Sequence, residues 1–133
     1  MDELPHERVY TRLGRSAIHG VGVIAIVPIA QGLNVFPNDL GAIRWWPKAQ
    51  LDAAAVEPSL RQLYVDFCIN RGDLVGAPVN FNSLSPGWYV NEPLPGAAPN
   101  LAMTDDFAFI ALRDIAVGEE LTAVYKSYSE PRD

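Results

Sequence analysis

The sequence predicts a mainly β fold in which short strands form small sheets beside a short helical insert. Three observations predict it. Glycine and proline number 10 and 11 of the 133 residues, about 16% against an average near 12%, which disfavours a bundle of long helices. Runs rich in β-branched residues are short, and the richest of them spans 21–29. A composition that favours helix occurs only in the stretch 46–67.

Length, charge and cysteine content limit the classes of protein that the chain can represent. We expect 1–133 to form one domain, because this length lies within the usual range for one. The net charge of −6 disfavours direct nucleic-acid binding and would attract a basic partner such as a lysine-rich peptide. The single cysteine, Cys68, excludes an intrachain disulfide bond and a multi-cysteine zinc site. No apolar run resembles a secretory signal or a membrane span, so we expect a cytoplasmic protein that does not contact membranes.

The first third of the chain predicts strands joined by turns. Residues 9–13 predict a strand, and a turn follows at 14–16. In 17–36 the β-branched residues favour strand, while a proline and a glycine within 28–32 would interrupt a helix. We therefore predict a hairpin, with a turn at 28–32 and a returning strand at 33–36.

The middle of the chain contains the predicted helices. Pro47 suits a first helical position, and Pro58 would begin a second helix, so two short helices fit an insert at about 42–67. After Cys68 the pattern returns to strands of about three to five residues separated by glycine and proline. Residues 88–90 predict one more short strand.

The last third combines a rigid loop with two strands. Three prolines within 91–100 lack the N–H groups that a ladder or a helix interior needs, so we predict an ordered loop. Residues 107–112 predict a strand, 113–119 a turn through Gly118, and 120–125 a final strand.

A glycine-rich run at 20–25 matches the G-x-G-x-x-A pattern of dinucleotide-binding proteins. That pattern requires a helix after it, whereas here β-branched residues and Pro28 follow. Two interpretations stay open. Gly20 and Gly22 ease a turn or bulge at the start of a strand, or their missing side chains let a ligand lie against the backbone.

Other chemistry-bearing residues give weaker signals. His6 and His19 lack partners at helical spacing, so no metal site is indicated. The acidic pairs at 105–106 and 119–120 would point their members to opposite faces of a strand, and we assign them to turn capping and a solvated edge. The serines near 83–85 lack the pattern around a nucleophile, so no hydrolase triad is predicted. Tyr125 ends a predicted strand, where its hydroxyl needs a partner or a cavity.

Three segments, in order, resemble the SET-domain protein-lysine methyltransferases. Residues 16–25, continued through 29–32, are similar to the family's opening hairpin, in which a G-x-G turn lays backbone against S-adenosylmethionine. Residues 88–91, closing later with Pro-Asn at 99–100, resemble its asparagine-histidine motif. The run 111–125 resembles its last motif, Gly-Glu-Glu-Leu-Thr followed by the catalytic tyrosine. The resemblance covers 9–128.

The resemblance implies a fold and a function. The fold would be a β-clip, with the C-terminal segment threaded like a pseudoknot under the preceding loop, which would bring Asn91 and Tyr125 together. The activity would be S-adenosylmethionine-dependent lysine N-methylation of a protein or peptide, without a metal. Tyr125 would be catalytic, and Tyr128 would line the substrate channel. The cofactor would be bound by His19, Gly20, Val21, Gly22, Asn91 and Glu92.

Departures from the family pattern keep other functions open. Glu92 stands where the family usually has histidine, and it would either accept a hydrogen bond from the cofactor's amine or cap the loop. The cysteine-rich tail that completes the lysine channel in many relatives is missing, and a homodimer is a candidate way to close it. The alternatives are a catalytically weak or inactive SET-like module that binds a protein or peptide, and a methyltransferase of small amines.

Overall fold

The computed structural model describes residues 4–37, 39 and 43–130, and it confirms a mainly β fold. The described residues form strands β1 (Thr11–Arg15), β2 (Val21–Ala25), β3 (Ile43–Pro47), β4 (Ile69–Arg71), β5 (Leu74–Pro78), β6 (Leu101–Met103), β7 (Phe109–Ala111) and β8 (Glu120–Leu121), helices α1 (Lys48–Ala53) and α2 (Pro58–Asp66), and 3-10 turns Pro86–Tyr89 and Tyr125–Ser127. Two compact units comprise them, the first Met1–Asp39 with Pro86–Val124 and the second Leu40–Ser85 with Tyr125–Asp133. The single domain at 1–133 stays a prediction.

The first unit contains two small antiparallel sheets. In one, β2 lies between β1 and β8, and in the other β6 pairs with β7. Alternate residues of β2 point inward, since Val23 and Ala25 are buried. The apolar core collects side chains from both halves of the unit: Val23, Ala25, Ile29, Val35, Leu101, Ile115 and Leu121.

The predicted β1 and hairpin are partly wrong. Strand β1 begins and ends two residues later than the predicted 9–13, because Gly14 and Arg15 pair with β2, and the turn follows at 16–20. The residues 33–36 do not return along β2. They lie beside β7, where Val35 N donates to Phe109 O at 3.0 Å, because β2 already has β1 and β8 as neighbours.

The terminal segment that contains β8 is hydrogen-bonded to both ends of the proline-rich loop 91–100. At one end Asn91 forms a parallel bridge with Thr122, and Ala123 N donates to Asn91 O at 3.1 Å. At the other end Thr122 N donates to Asn100 Oδ1 at 2.8 Å, and Asn100 N donates to Thr122 O at 3.2 Å. The loop therefore begins and ends on the terminal segment, as the predicted threading requires.

Two further strand predictions in this unit need correction. Residues 88–90 belong to the 3-10 turn Pro86–Tyr89 and the buried Val90 after it, because Val90 N donates back to Gly87 O. The final strand is shorter than 120–125, and a 3-10 turn begins at Tyr125. The strand predicted at 107–112 is present but shorter, at Phe109–Ala111, and the predicted turn through Gly118, with φ +88°, is confirmed.

The second unit contains the sheet β3-β5-β4 and both helices. Trp45 pairs with Gly76, and a Cβ on Gly76 would lie 2.7 Å from the Trp45 ring, so only glycine leaves room for that ring. The two predicted helices are confirmed, but residues 43–47 of the predicted insert form β3. Pro47 ends that strand, because it pairs with Leu74 before α1 begins. No helix in the described part of the chain is long and apolar enough to span a membrane.

Candidate functional site

The loop between β1 and β2 is organised by Ser16. Its backbone N donates to Gly20 O at 2.8 Å, and its Oγ accepts hydrogen bonds from Ile18 N at 2.9 Å and His19 N at 3.0 Å. Gly20 has φ +51°, a left-handed conformation that side chains disfavour, and a Cβ there would meet nothing within 4 Å. The interpretation of Gly20 as a turn glycine is confirmed, and the loop presents bare backbone to open space.

Gly22 lies within β2 and is needed for a different reason. It is buried, and a Cβ added to it would lie 2.8 Å from Glu120 Cδ and 3.1 Å from Ser16 Cβ. Real Cβ atoms do not approach other atoms that closely. The missing side chain of Gly22 therefore makes the space that the Glu120 carboxylate occupies.

The side chain of Asn91, about 70 residues further along the chain, is hydrogen-bonded to the same loop. Its Nδ2 donates to His19 O at 3.0 Å and Val21 O at 3.2 Å, and it lies 3.0 Å from Glu120 Oε2. All three partners only accept hydrogen bonds, so the NH₂ group and not Oδ1 must face them. The orientation of the Asn91 amide is thereby fixed by its surroundings.

Ser16, Asn91 and Glu120 form what we call the polar cluster. The Ser16 hydroxyl donates to both carboxylate oxygens of Glu120, at 2.7 and 2.8 Å, and Asn91 Nδ2 lies 3.2 Å from Ser16 Oγ. Hydrogen bonds to an ionised carboxylate are shorter and stronger than neutral ones. The cluster joins the loop after β1, the start of the proline-rich loop and β8.

Ser16 and Glu120 were not predicted as members of the site. The two adjacent glutamates were expected to face opposite ways and to serve as turn caps and a solvated edge. Glu119 does cap the turn, since Ala116 N donates to its Oε1 at 3.0 Å. The assignment is wrong for Glu120, because the pairing of Glu120 with Ile24 in β2 turns its carboxylate toward Ser16. The register between β8 and β2, which decides this, leaves no mark in the sequence.

The other glutamate belongs to an ion pair away from the polar cluster. Arg113 Nη2 lies 2.8 Å from Glu119 Oε2. The hydrogen bond from Arg113 holds the pKa of Glu119 below its ordinary value, and the bond from Ala116 N lowers it further. The same pair raises the pKa of Arg113. The Arg113 side chain is exposed and that of Glu119 is partly exposed, so the pair contributes little to stability.

The structure brings five of the predicted cofactor-binding residues together in the first unit: His19, Gly20, Val21, Gly22 and Asn91. Glu92 follows Asn91 in the chain, and its side chain is exposed. The side chains of His19 and Val21 are also exposed. The backbone of this loop already makes internal hydrogen bonds, and a carbonyl oxygen such as His19 O or Val21 O has two lone pairs and can accept a second hydrogen bond.

The predicted catalytic and channel residues belong to the second unit. The rings of Tyr125 and Tyr128 pack edge to face, with centroids 6.2 Å apart, and Tyr125 is 40% exposed. The chain after them is held by β4. Arg71 donates to Tyr128 O at 3.3 Å, and Ser129 Oγ accepts from Asn70 N at 2.9 Å.

No group of three or more His, Cys, Asp or Glu side chains in the described ranges is arranged to hold a metal ion. His19 contributes its backbone to the loop, and His6 pairs with the neighbouring Glu7 at 3.3 Å. The metal-free site stays a prediction.

Comparison with known proteins identifies the fold. No family model and no curated protein sequence matches the chain. A Plasmodium falciparum protein assigned as a histone methyltransferase has a similar structure, with a TM-score of 0.54 and 15% identity over 86% of this chain and 90% of its own. The methyltransferase domain of human PR domain-containing protein 2 gives a TM-score of 0.56 and 22% identity over 93% of this chain and 82% of its own. The predicted SET-like β fold is confirmed, and at these identities the likeness is one of fold.

Proposed function

We propose that this protein is an S-adenosylmethionine-dependent protein-lysine N-methyltransferase. The observation that carries the proposal is the hydrogen bonding of the Asn91 amide to His19 O and Val21 O, on a fold shared with methyltransferases. Those contacts join two of the segments that resemble SET-domain motifs. The bridge between Asn91 and Thr122 adds the third.

The loop residues fit the proposed cofactor. S-adenosylmethionine carries amino groups that need acceptors, and His19 O, Val21 O and Asn91 Oδ1 are acceptor atoms of this loop. The position of a Cβ on Gly20 is open space, so a ligand can approach the backbone there. The side chain of Val21 is 48% exposed and offers an apolar surface next to these polar atoms.

When bound, S-adenosylmethionine would supply a methyl group activated by a positively charged sulfur. The chain would align an uncharged lysine amine with that group for an in-line displacement, which is mainly a task of positioning. In this proposal the Tyr125 hydroxyl is the catalytic group that preorganises the transfer site, and Tyr128 lines the substrate channel. These two roles rest on the resemblance of 111–125 to the family's last motif.

The charge of the chain supports a basic substrate. The sequence has 16 acidic and 10 basic residues, and a negative net charge attracts a peptide that carries several lysines. We therefore propose a lysine-containing, basic protein or peptide as the substrate. A homodimer that completes the channel is a further proposal, and sedimentation that detects only monomer would exclude it.

The test combines cofactor binding with methyl transfer. Calorimetry should detect S-adenosylmethionine binding to the purified chain, and labelled methyl groups should pass to a lysine-rich peptide but not to its arginine counterpart. Tyr125→Phe should lower kcat by about a hundredfold or more while cofactor binding is retained. Tyr64→Phe is the matched control, since its ring packs on Phe81 with centroids 4.9 Å apart and keeps that contact.

The outcomes separate the proposal from its alternatives. Absence of cofactor binding to the intact chain would overturn it. Peptide binding without methyl transfer to the proteins of any cell extract would favour the SET-like binding module. Glu92, which stands where the family usually has histidine, motivates that alternative. Transfer to free amines but not to peptides would favour the small-amine enzyme.

A further inference from the structure

We propose that Glu120 is a positioning residue, acting with Ser16, that sets the orientation of the Asn91 amide and the shape of the 16–20 loop. This inference rests on the proposed function, because the loop and the amide are the groups proposed to hold the cofactor. The distances within the polar cluster carry it: Ser16 Oγ lies 2.7 and 2.8 Å from the two carboxylate oxygens, and Asn91 Nδ2 lies 3.0 Å from one of them.

A carboxylate suits this place because it only accepts hydrogen bonds. The Ser16 hydroxyl has one hydrogen, and donation of that hydrogen to Glu120 leaves the lone pairs of Oγ for Ile18 N and His19 N. The carboxylate therefore fixes the hydroxyl in the rotamer that holds the loop. It also accepts from Asn91 Nδ2, which turns Asn91 Oδ1 away from the cluster.

The neighbouring residues leave room for this carboxylate. Gly22 is buried in β2 and leaves the space into which the Glu120 side chain fits, since a Cβ on Gly22 would lie 2.8 Å from Glu120 Cδ. Ser16 and Glu120 are 104 residues apart in the sequence, so the contact is a product of the fold. The adjacent Glu119 faces Arg113 instead and does not belong to the cluster.

Glutamine at position 120 would keep the shape of the side chain but change the hydrogen bonds that it can make. Its side chain has one acceptor oxygen and an NH₂ group, so Ser16 Oγ–H and Asn91 Nδ2, which now have two carboxylate oxygens, would both have to donate to one amide oxygen. The NH₂ group would face the Asn91 NH₂ group or the Ser16 Oγ, which already accepts two backbone N–H groups. The NH₂ group of the substituted glutamine would be left without an acceptor in the cluster, which weakens the hold of position 120 on Ser16 and Asn91, while His19 O and Val21 O still accept from Asn91 Nδ2.

The experiment compares Glu120→Gln with the matched control Glu119→Gln. In the free protein, hydrogen exchange followed by NMR should be about tenfold faster at Asn91 Nδ2 and at the Ile18 and His19 amides in Glu120→Gln, and unchanged in Glu119→Gln. Calorimetry should give a Kd for S-adenosylmethionine raised by about tenfold in Glu120→Gln alone. The KM for cofactor should rise while kcat at saturating cofactor stays within about twofold, as expected of a residue that positions a binding group.

A second pair of variants covers the case in which Glu120→Gln does not fold. Ser16→Ala removes the hydroxyl and should reproduce the faster exchange and the weaker binding, whereas Ser16→Thr keeps a hydroxyl and should restore both. Unchanged exchange and unchanged Kd in Glu120→Gln or Ser16→Ala would overturn the inference. If the wild-type chain binds no cofactor, the proposed function fails, and the exchange rates of the free protein still decide the positioning role.

Discussion

At the scale of single residues, two nearby glycines, one in the loop before β2 and one within β2, serve different physical purposes. Gly20 is required by its backbone, with φ +51° and open space where a side chain would lie. Gly22 is required by space, because the Glu120 side chain lies against it. The G-x-G pattern predicted that one loop matters but did not separate these two roles, since one depends on φ and the other on a partner 98 positions along the chain.

The two glycines predict different responses to alanine. Gly20→Ala should lower the free energy of unfolding by about 1 kcal/mol through backbone strain. Gly22→Ala should lower it by roughly 1 to 3 kcal/mol through crowding against Glu120. Urea denaturation measures the change in the free energy of unfolding for each variant, alone and in a Glu120→Ala background. The cost of Gly22→Ala should shrink in that background while the cost of Gly20→Ala stays constant, and equal costs in both backgrounds would contradict the steric account.

The ion pair of Arg113 and Glu119 predicts a pH dependence. The hydrogen bond from Arg113 lowers the pKa of Glu119 from its ordinary value of 4.5. A carboxylate with a lowered pKa in the folded state stabilises the fold above that ordinary value, and the contribution disappears as the pH falls through the folded-state pKa. At neutral pH the free energy of unfolding of the wild type should therefore exceed that of Glu119→Gln by at most about 1 kcal/mol.

That difference should vanish on acidification. Denaturation curves of wild type and Glu119→Gln at neutral pH and well below pH 4.5 provide the measurement. Solvent reaches both side chains, which are 53% and 34% exposed, so added salt should also reduce the difference at neutral pH. If the difference in the free energy of unfolding is the same at both pH values, it arises from packing and not from charge.

At the scale of elements, local composition predicted where strands and helices occur better than which strands pair. Helices α1 and α2 follow prolines at suitable positions and were predictable. The partners of β2 were not, because β8 joins it from about 100 residues away and no local signal records that register. Strand β3 was missed since its tryptophans adjoin the helical stretch, and its pairing with Gly76 is visible only in the fold.

The attachment of the terminal residues to β4 is an element-scale feature that can be tested. Ser129 Oγ accepts from Asn70 N at 2.9 Å, and Glu130 N donates to Asn70 O at 2.7 Å. Asn70 is 5% exposed, so Ser129→Ala leaves a buried N–H without this acceptor. The substitution should cost about 1 kcal/mol and speed hydrogen exchange at the Asn70 amide. Ser83→Ala, at an exposed turn position of the same unit, is the control, and equal exchange in both variants would contradict the attachment.

At the scale of the whole molecule, the order of three motifs carried more information than any one of them. The G-x-G pattern alone also fits dinucleotide-binding proteins, but the Asn91 segment and the run 111–125 in that order favour the SET-like fold, which is confirmed. Contacts in the first unit then join the first two motifs with Glu120 of the third at the polar cluster. The roles of Ser16 and Glu120 could not be predicted, because both depend on the pairing of β8 with β2.

The net charge of −6 predicts how substrate binding responds to salt. Long-range attraction between an acidic chain and a basic peptide is screened as the Debye length falls from about 10 Å at 0.1 M to about 3 Å at 1 M salt. The KM for a peptide with several lysines should therefore rise several-fold over that range. The KM for a peptide with one lysine among neutral residues should change much less, and so should the Kd for S-adenosylmethionine, whose proposed contacts are short hydrogen bonds. Equal salt dependence for both peptides would show that charge does not select the substrate, and the specificity would then depend on the shape of the channel.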